Sequence, residues 1–396
     1  MIGPLDHRQT PQAFRAALQV WLAGTLDPDW QICMTGASEE HFLSFQRDWL
    51  EKLRAAGLDT PHWPKQWGGS ELTLDEQIIM YEELARVAAP LPDLFVISLY
   101  HLPATLFAHG TPEQQARYLG GVRERGEIWC QGFSEPDAGS DLASLRTKAE
   151  RQGNTYIVNG QKIWSSWGMF ADYCLLLART DPTAKKQLGI SYFILDMKSP
   201  GITVRPIKQA SGEAEFAEIF FDNVEIPAEN LIGAENQGWR IAQSTLTAER
   251  GLAIFDYAQR MEARMRTDLA AGREIWVKDA GHAREYARFW AEARAIRLMI
   301  RQMLREIAED PKSGGSVTTT YIKLRWAGLL QDYSEFMIRM GGLPGQIAVP
   351  PLLGGGQQTG TAMLDFFRNY GWTIAGGSNE VMRNVIAERF LELPRG

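Results

Sequence analysis

The apolar residues of this 396-residue chain recur at a helical period, then at a strand period, then at a helical period again. A helix buries one stripe with a period of about 3.6, and a strand buries one face with a period of about 2, so neither one bundle nor one sheet accommodates the whole chain. Over roughly the first 125 residues, AFRAALQVWLAGTL and LSFQRDWLEKLRAAGL carry apolar residues three and four apart. TLDEQIIMYEELARVAAP sets Leu74, Ile78, Tyr81, Leu84 and Ala88 on one face, with Thr73 and Glu76 as a capping box and Pro90 as the stop. TPEQQARYLGG repeats that start with Thr111, Pro112 and Gln114, and its glycines predict the helix end.

From about Glu127 to Gly233, YCLLLART, ISYFILDMKSPGITVRPI and AEIFFDNVEIP predict strands. TYIVNGQKIWSSWG predicts a hairpin turning at Asn159-Gly160, and Ser199-Pro200-Gly201 and Asp222-Asn223 predict further turns. From about Gly238 four long helical segments follow: GWRIAQSTLTAERGLAIFDYAQRMEARMRTDLA, GHAREYARFWAEARAIRLMIRQMLREIAED, TTTYIKLRWAGLLQDYSEFMIRM and NEVMRNVIAERFLEL. The Gly- and Pro-rich GGLPGQIAVPPLLGGGQQTG interrupts them as a loop. The expected fold class is multidomain α+β: an N-terminal α-helical domain (1–126), a middle β-barrel-like domain (127–235) and a C-terminal four-helix bundle (236–396).

Several function classes fall away. A formal net charge of −7 argues against nucleic acid as the main partner. The arginine-rich stretch 283–305 is interspersed with glutamates and reads as a solvated bundle face. No apolar run approaches a membrane span, and MIGPLDHRQTPQ lacks the basic end and apolar core of a signal peptide. Cys33, Cys130 and Cys174 show no CxxC spacing and read as reduced thiols. The expectation is a soluble cytoplasmic protein with no nucleic-acid or membrane partner. GxxxxGK[ST], GxSxG and a strand-borne GxGxxG are missing, and the histidines show no metal-ligand spacing.

Four segments carry chemistry. WCQGFSEPDAGSDLASL (129–145) is either a nest whose N–H groups hold a pyrophosphate, helped by Ser134 and Ser140, or a connection into the β domain. In KIWSSWG (162–168), Trp164 and Trp167 flank two serines; a flat ligand can stack there, or the indoles serve the core. Glu249 shares a helical stripe with Ala242, Leu246, Ala253 and Tyr257. A carboxylate there is either desolvated, with a raised pKa suited to a general base, or an edge glutamate paired with a basic group. YGWTIAGGSNEVMRN (370–384) is a double-glycine turn leading into a helix that starts at Ser378, Asn379 and Glu380, where something can approach the backbone closely.

Taken together, CQGFSEPDAGSDLASLRTKA, YIVNGQKIWSSWG and GGSNEVMRNVIAERFL resemble the ordered signatures of the acyl-CoA dehydrogenase family, and the resemblance covers nearly the whole chain. It implies FAD as cofactor, an acyl-CoA substrate and oxidation to the 2-enoyl-CoA, with an electron-transfer flavoprotein as acceptor. It implies that Gln131, Phe133 and Ser134 lie along the flavin and that Gly139 and Ser140 hold its phosphates. Trp164 would stack on the ring, Ser165 and Ser166 would lie at its edge, and Ser378 and Glu380 would contact the cofactor. Ser140 is also implied as a substrate contact.

Most of the family carries its catalytic glutamate in the double-glycine turn, where this chain has Gly376. A minority places it on the first bundle helix before an arginine, which matches Glu249-Arg250. The resemblance therefore implies Glu249 as base, the Gly376 N–H on the thioester oxygen and Arg250 near the CoA end. The bundle segment that reaches FAD on a neighbouring subunit persists only as Arg273 and Trp276, and RMGGLPGQ is also altered. These departures resemble a subgroup acting on bulky acyl-CoAs, including steroid side chains. The implied assembly is a homodimer or homotetramer, or a hetero-oligomer with a second acyl-CoA dehydrogenase-like subunit. Two alternatives stay open: a flavin oxidase or monooxygenase on the same fold, and a non-catalytic subunit completing a partner's FAD site.

Overall fold

The computed structural model describes residues 10–248, 252–276, 278–310, 317–347, 349–354 and 361–394. The helices are α1 (Pro11–Thr25), α2 (Trp30–Met34), α3 (Glu39–Ala55), α4 (Leu74–Arg86), α5 (Leu102–His109), α6 (Pro112–Arg125), α7 (Gly238–Ala248), α8 (Leu252–Trp276), α9 (Ala280–Glu309), α10 (Val317–Gly341), α11 (Ala362–Trp372) and α12 (Asn379–Val385). The strands are β1 (Trp129–Gly132), β2 (Lys148–Gln152), β3 (Thr155–Ser166), β4 (Tyr173–Arg179), β5 (Ile190–Asp196), β6 (Ile202–Ile207) and β7 (Phe216–Pro227). The order is helical, β, helical, as the periods predict. No described helix is long and apolar enough to cross a membrane.

The chain divides into two compact units. The helices up to Leu91 and those from Leu252 onward share one of them. One apolar cluster joins Phe14 and Trp21 of α1, Trp49 of α3 and Ile78 of α4 to Phe255 of α8, Phe289 of α9 and Trp326 of α10. Both capping boxes form, at Thr73–Glu76 and Thr111–Gln114. The glycines of α6 do not end it. The helix continues through Gly120 and Gly121 and stops at Gly126, which takes a left-handed φ of 61°. Gly121 is instead a close approach, because a Cβ there would lie 1.9 Å from the Glu127 carboxylate. Three arginines of α9 are tied into ion pairs: Arg297 and Arg301 reach Glu82, and Arg294 and Arg297 reach Glu262.

The second unit, residues 66–68 and 92–248, contains a seven-stranded barrel-like sheet in the order β1-β4-β2-β3-β7-β6, with β5 on the other edge of β4. β1 runs parallel to the first half of β4, and β2 joins β4 at Lys148–Arg179. The chain between β1 and β2 therefore leaves that edge and returns to it, so residues 133–147 form an excursion at the sheet rim.

The expected hairpin at Asn159-Gly160 is not there, and β3 runs straight through it. The hairpin lies one strand earlier, joining β2 to β3 through Gly153. Asp222-Asn223 is likewise inside a strand, β7. The two polar dipeptides meet as a β-bulge, with Asp222 and Asn223 both opposite Asn159. Asn159 Oδ1 accepts from the Asn223 N–H at 2.8 Å, and its Nδ2 donates to Asn223 Oδ1 at 3.1 Å. Gly160 is required because a Cβ would sit 2.5 Å from Thr147 Oγ1. Helix α11, which the sequence reading passed over, occupies part of the segment leading to the double glycine. The expected long helix from 238 is described as α7 and α8, and residues 249–251 between them lie outside the described residues.

Candidate active site

The sheet unit brings two of the sequence candidates side by side. Beyond β1, the chain at Phe133–Glu135 runs beside β3. The Ile163 N–H donates to the Ser134 carbonyl at 2.9 Å. Lys162 Nζ donates to the Phe133 carbonyl at 2.9 Å and to Glu135 Oε1 at 2.8 Å. Both charged groups are buried, Lys162 completely. Glu135 also accepts from the backbone N–H groups of Arg146, at 2.6 Å, and Thr147, at 2.9 Å. The excursion is thus closed at its base by one internal ion pair. Burial pushes the Glu135 carboxyl up, but the Lys162 ammonium, with Arg146 and Thr147, outweighs it and holds it below its ordinary value. Burial pushes the Lys162 ammonium down more than Glu135 restores it. Sequence reasoning missed this pair. The only available signal was a lysine at an inward position of an alternating strand.

Next along β3, the register with β7 slips between Lys162 and Ser165, a second bulge. Trp164 takes φ 63°, and its indole is turned outward, 53% exposed and edge-on to Phe216 at 5.8 Å. A left-handed backbone is uncommon for a bulky residue, and such strain concentrates at working sites. Trp167 also has positive φ, 54°, and stacks on Phe170. Ser166 is half-buried. Ser165 is fully enclosed, and its hydroxyl has no hydrogen-bond partner among the described residues, so it lies beneath the surface that Trp164 and Ser166 reach.

The side chain of Phe133 points inward, edge-on to Tyr192 at 5.6 Å, and its carbonyl is held by Lys162. Gln131 is half-buried, and its Nε2 is shielded and without a partner among the described residues. A buried amide donor in that state is a place for a ligand acceptor. Gly139 and Ser140 are exposed, and a Cβ at Gly139 would meet nothing within 4 Å. Gly132 lets β1 close on β4, since a Cβ would lie 2.8 Å from Cys174 Sγ. Cys130 and Cys174, remote in sequence, are register partners across those strands and both are free thiols. The hydrogen bond to Cys174 and burial push the Cys130 thiol well up, so it stays protonated.

The other candidates belong to the helical unit. Gly376 has φ 65° and Gly377 has φ 96°. A Cβ at Gly376 would meet nothing within 4 Å, so its left-handed φ, rather than a close neighbour, is what calls for glycine there. At Gly377 it would meet Met382 Cε at 2.4 Å. Ser378 caps α12 by accepting from the Val381 N–H, and the exposed Glu380 pairs with Arg383. Arg273 is exposed on α8. Its sequence companion Trp276 is a core residue, 3% exposed, between Tyr286 and Phe336. Glu249 and Arg250 lie outside the described residues; of their stripe, Ala242 is buried and Tyr257 packs edge-on to Trp372.

Three family models match the chain in order: the acyl-CoA dehydrogenase N-terminal domain over residues 9–125, the middle domain over 130–224 and the C-terminal domain over 236–391. A curated relative, acyl-CoA dehydrogenase IpdE1 of Mycobacterium tuberculosis, is 37% identical over 392 residues, spanning 98% of this chain and 99% of its own. The chain belongs to the acyl-CoA dehydrogenase family. It has the family's three-domain fold and is an oxidoreductase of the acyl-CoA class. The like-named acyl-CoA dehydrogenase of Mycolicibacterium smegmatis is 35% identical over 398 residues, covering 97% of this chain and 98% of that one. Among solved structures, the steroid ACAD Tcur3481-Tcur3483 superposes with a TM-score of 0.84 at 28% identity, covering 98% of both chains. The ChsE4-ChsE5 complex from Mycobacterium tuberculosis gives 0.77 at 27% identity, again over 98% of both. Acyl-CoA dehydrogenases are FAD-dependent. The shielded Gln131 amide, the open backbone at Gly139 and the outward indole of Trp164 fit that cofactor.

Proposed function

We propose that this acyl-CoA dehydrogenase carries out the FAD-dependent α,β-dehydrogenation of an acyl-CoA thioester to the trans-2-enoyl-CoA. The observation that carries the reading is the β3 bulge, which turns the Trp164 indole outward while the adjoining 131–134 segment keeps an amide with no partner among the described residues. A flat ring has there a stacking surface fixed by backbone geometry and a donor for its edge. Gln131, Phe133 and Ser134 would hold the flavin edge, Gly139 and Ser140 the phosphates, and Trp164 the ring face. Ser166, with Ser165 behind it, Arg273, Ser378 and Glu380 complete the proposed contacts. When bound, FAD supplies the two-electron acceptor for the β-hydrogen. Glu249 takes the α-proton as the general base. The Gly376 N–H donates to the thioester oxygen as charge develops there, and Arg250 and Ser140 serve the CoA end.

The substrate proposed is a bulky, steroid-type acyl-CoA, supported by likeness to a structure described as a steroid ACAD. The partner proposed is a second acyl-CoA dehydrogenase-like subunit, since two of the similar structures are named as pairs. Electrons would pass to an electron-transfer flavoprotein in the cytoplasm. The domain limits proposed remain 1–126, 127–235 and 236–396.

The test is anaerobic bleaching of bound flavin on mixing with straight, branched and steroidal acyl-CoAs. Bleaching by the steroidal class alone, abolished in Glu249→Gln, is the expected result. A Glu249→Gln protein that turns over normally in the assembled complex points to the non-catalytic subunit. Rapid reoxidation of the reduced protein in air points to the oxidase.

A further inference from the structure

A polar recess of about 40 Å³ lies between α8, α10 and α11, lined among others by Arg264, Asp268, Tyr333, Ser334, Asp365 and Asn369. None of these residues has a part in the proposed reaction. Asp365 and Asn369 are one turn apart on α11, and Arg264 and Asp268 one turn apart on α8, so each pair shares a face.

Most hydrogens of the walls are already committed. Arg264 Nε donates to Asp268 Oδ1 at 2.7 Å, and the Tyr333 hydroxyl donates to Asp268 Oδ2 at 2.9 Å. Burial and the Asp268 carboxylate push the Tyr333 phenol well up, so it keeps the proton it donates. The Ser334 hydroxyl donates to the Leu330 carbonyl at 2.8 Å, and Asn369 Nδ2 donates to the same carbonyl at 3.2 Å. That bond fixes which way the Asn369 amide faces, because its oxygen cannot sit against a carbonyl.

Two features then stand unmet. Asn369 is 3% exposed, and its Oδ1 has no hydrogen-bond partner among the described residues. Leaving a buried acceptor without a donor is costly, and native structures answer it with a protein group or an ordered water. Arg264 Nη1 stands 3.6 Å from Asp365 Oδ2. That is too long for a hydrogen bond and is a gap that water spans. A buried water needs at least roughly 10–15 Å³, so the recess holds about one to three.

The chemistry selects the occupant. Asn369 Oδ1 and the lone pairs on the Tyr333 and Ser334 oxygens ask for hydrogens. The guanidinium offers one, which a metal cation cannot accept. An anion would face the Asp268 and Asp365 carboxylates. Water both donates and accepts, and buried waters usually find about three partners.

We infer that the recess between α8, α10 and α11 is a hydration site, whose ordered water links Asn369 and Asp365 of α11 to Arg264 of α8 and seats α11 on the bundle. The inference is independent of the proposed reaction.

The test is a crystal structure of the holoenzyme at a resolution that shows ordered water, with and without a rubidium bromide soak. The expected result is water within hydrogen-bond distance of Asn369 Oδ1 and of Arg264 or Asp365, with no anomalous peak in the recess. A rubidium or bromide peak there makes it an ion site and overturns the inference. A recess without ordered solvent, or an Asn369 oxygen held by a protein donor, overturns it as well. In solution, Asn369→Leu should quicken amide exchange across residues 362–372 about fivefold or more, the factor for one bridging hydrogen bond. Ser334→Ala removes the other donor to the Leu330 carbonyl and spares the Asn369 oxygen, so its exchange should stay within about twofold of wild type. Equal quickening in both variants traces the effect to the Leu330 carbonyl, and unchanged exchange in Asn369→Leu leaves α11 seated without the water; either overturns the seating role.

Discussion

Replacing Lys162 by methionine tests how the 133–147 excursion is held. Methionine keeps the unbranched stem and removes the ammonium. The loss is larger than that of a surface pair, because Lys162 is fully enclosed and Glu135 is only 8% exposed. Breaking a buried pair by deleting one partner costs about 3–5 kcal/mol, since the remaining charge stays buried without its counter-charge. The Phe133 carbonyl loses its donor in the same step, adding about 1–3 kcal/mol unless water enters. Glu135 keeps the N–H groups of Arg146 and Thr147, which limits the damage. The expected deficit at neutral pH is therefore about 3–5 kcal/mol, read as a lower urea midpoint for the sheet unit. It depends on pH in a definite direction. Glu135 has a depressed folded-state pKa, so its stabilisation is full above the ordinary carboxylate value and is lost as pH falls through the folded value. The gap between wild type and Lys162→Met should close across that acidic window. Adding Glu135→Gln to Lys162→Met should cost far less than Glu135→Gln alone. Additive losses in this cycle, a deficit under about 1 kcal/mol, or a gap that widens in acid would refute the assignment of the pair as the excursion's anchor.

Two further outcomes follow from the geometry. Trp164→Ala should lower flavin affinity by roughly fivefold, in line with about 1 kcal/mol for an aromatic stack, whereas Trp164→Phe should keep most of it; cofactor titration of the apoprotein reads this directly. Gly377→Ala should lower the thermal midpoint through both the positive φ and the contact with Met382, at a cost of about 1–2 kcal/mol or more, and should be partly relieved by Met382→Ala, while no relief would place the strain elsewhere.

Much of the architecture is local and therefore legible in the sequence. Capping boxes at Thr73 and Thr111, the helical stripes and the strand alternation each depend on residues a few positions apart, and hydrophobic period alone selects helix or strand. The motif segments at 129–145, 162–168 and 370–384 were readable for the same reason: turn chemistry is written in consecutive residues. Only the tertiary structure decided the rest. Asn159-Gly160 and Asp222-Asn223 have the composition of hairpin turns, yet they meet as a bulge because each is paired along its length with a strand 60 or more positions away. Gly121, Gly132 and Gly160 are glycines because of what approaches them, at Glu127, Cys174 and Thr147. Helices α1, α3 and α4 share a core with α8, α9 and α10, since each buries an apolar stripe that only a distant segment can cover. Lys162 on Glu135 and Lys323 on Gly377 belong to the same class. A buried charge is allowed only where acceptors converge on it, and that convergence is set by the fold.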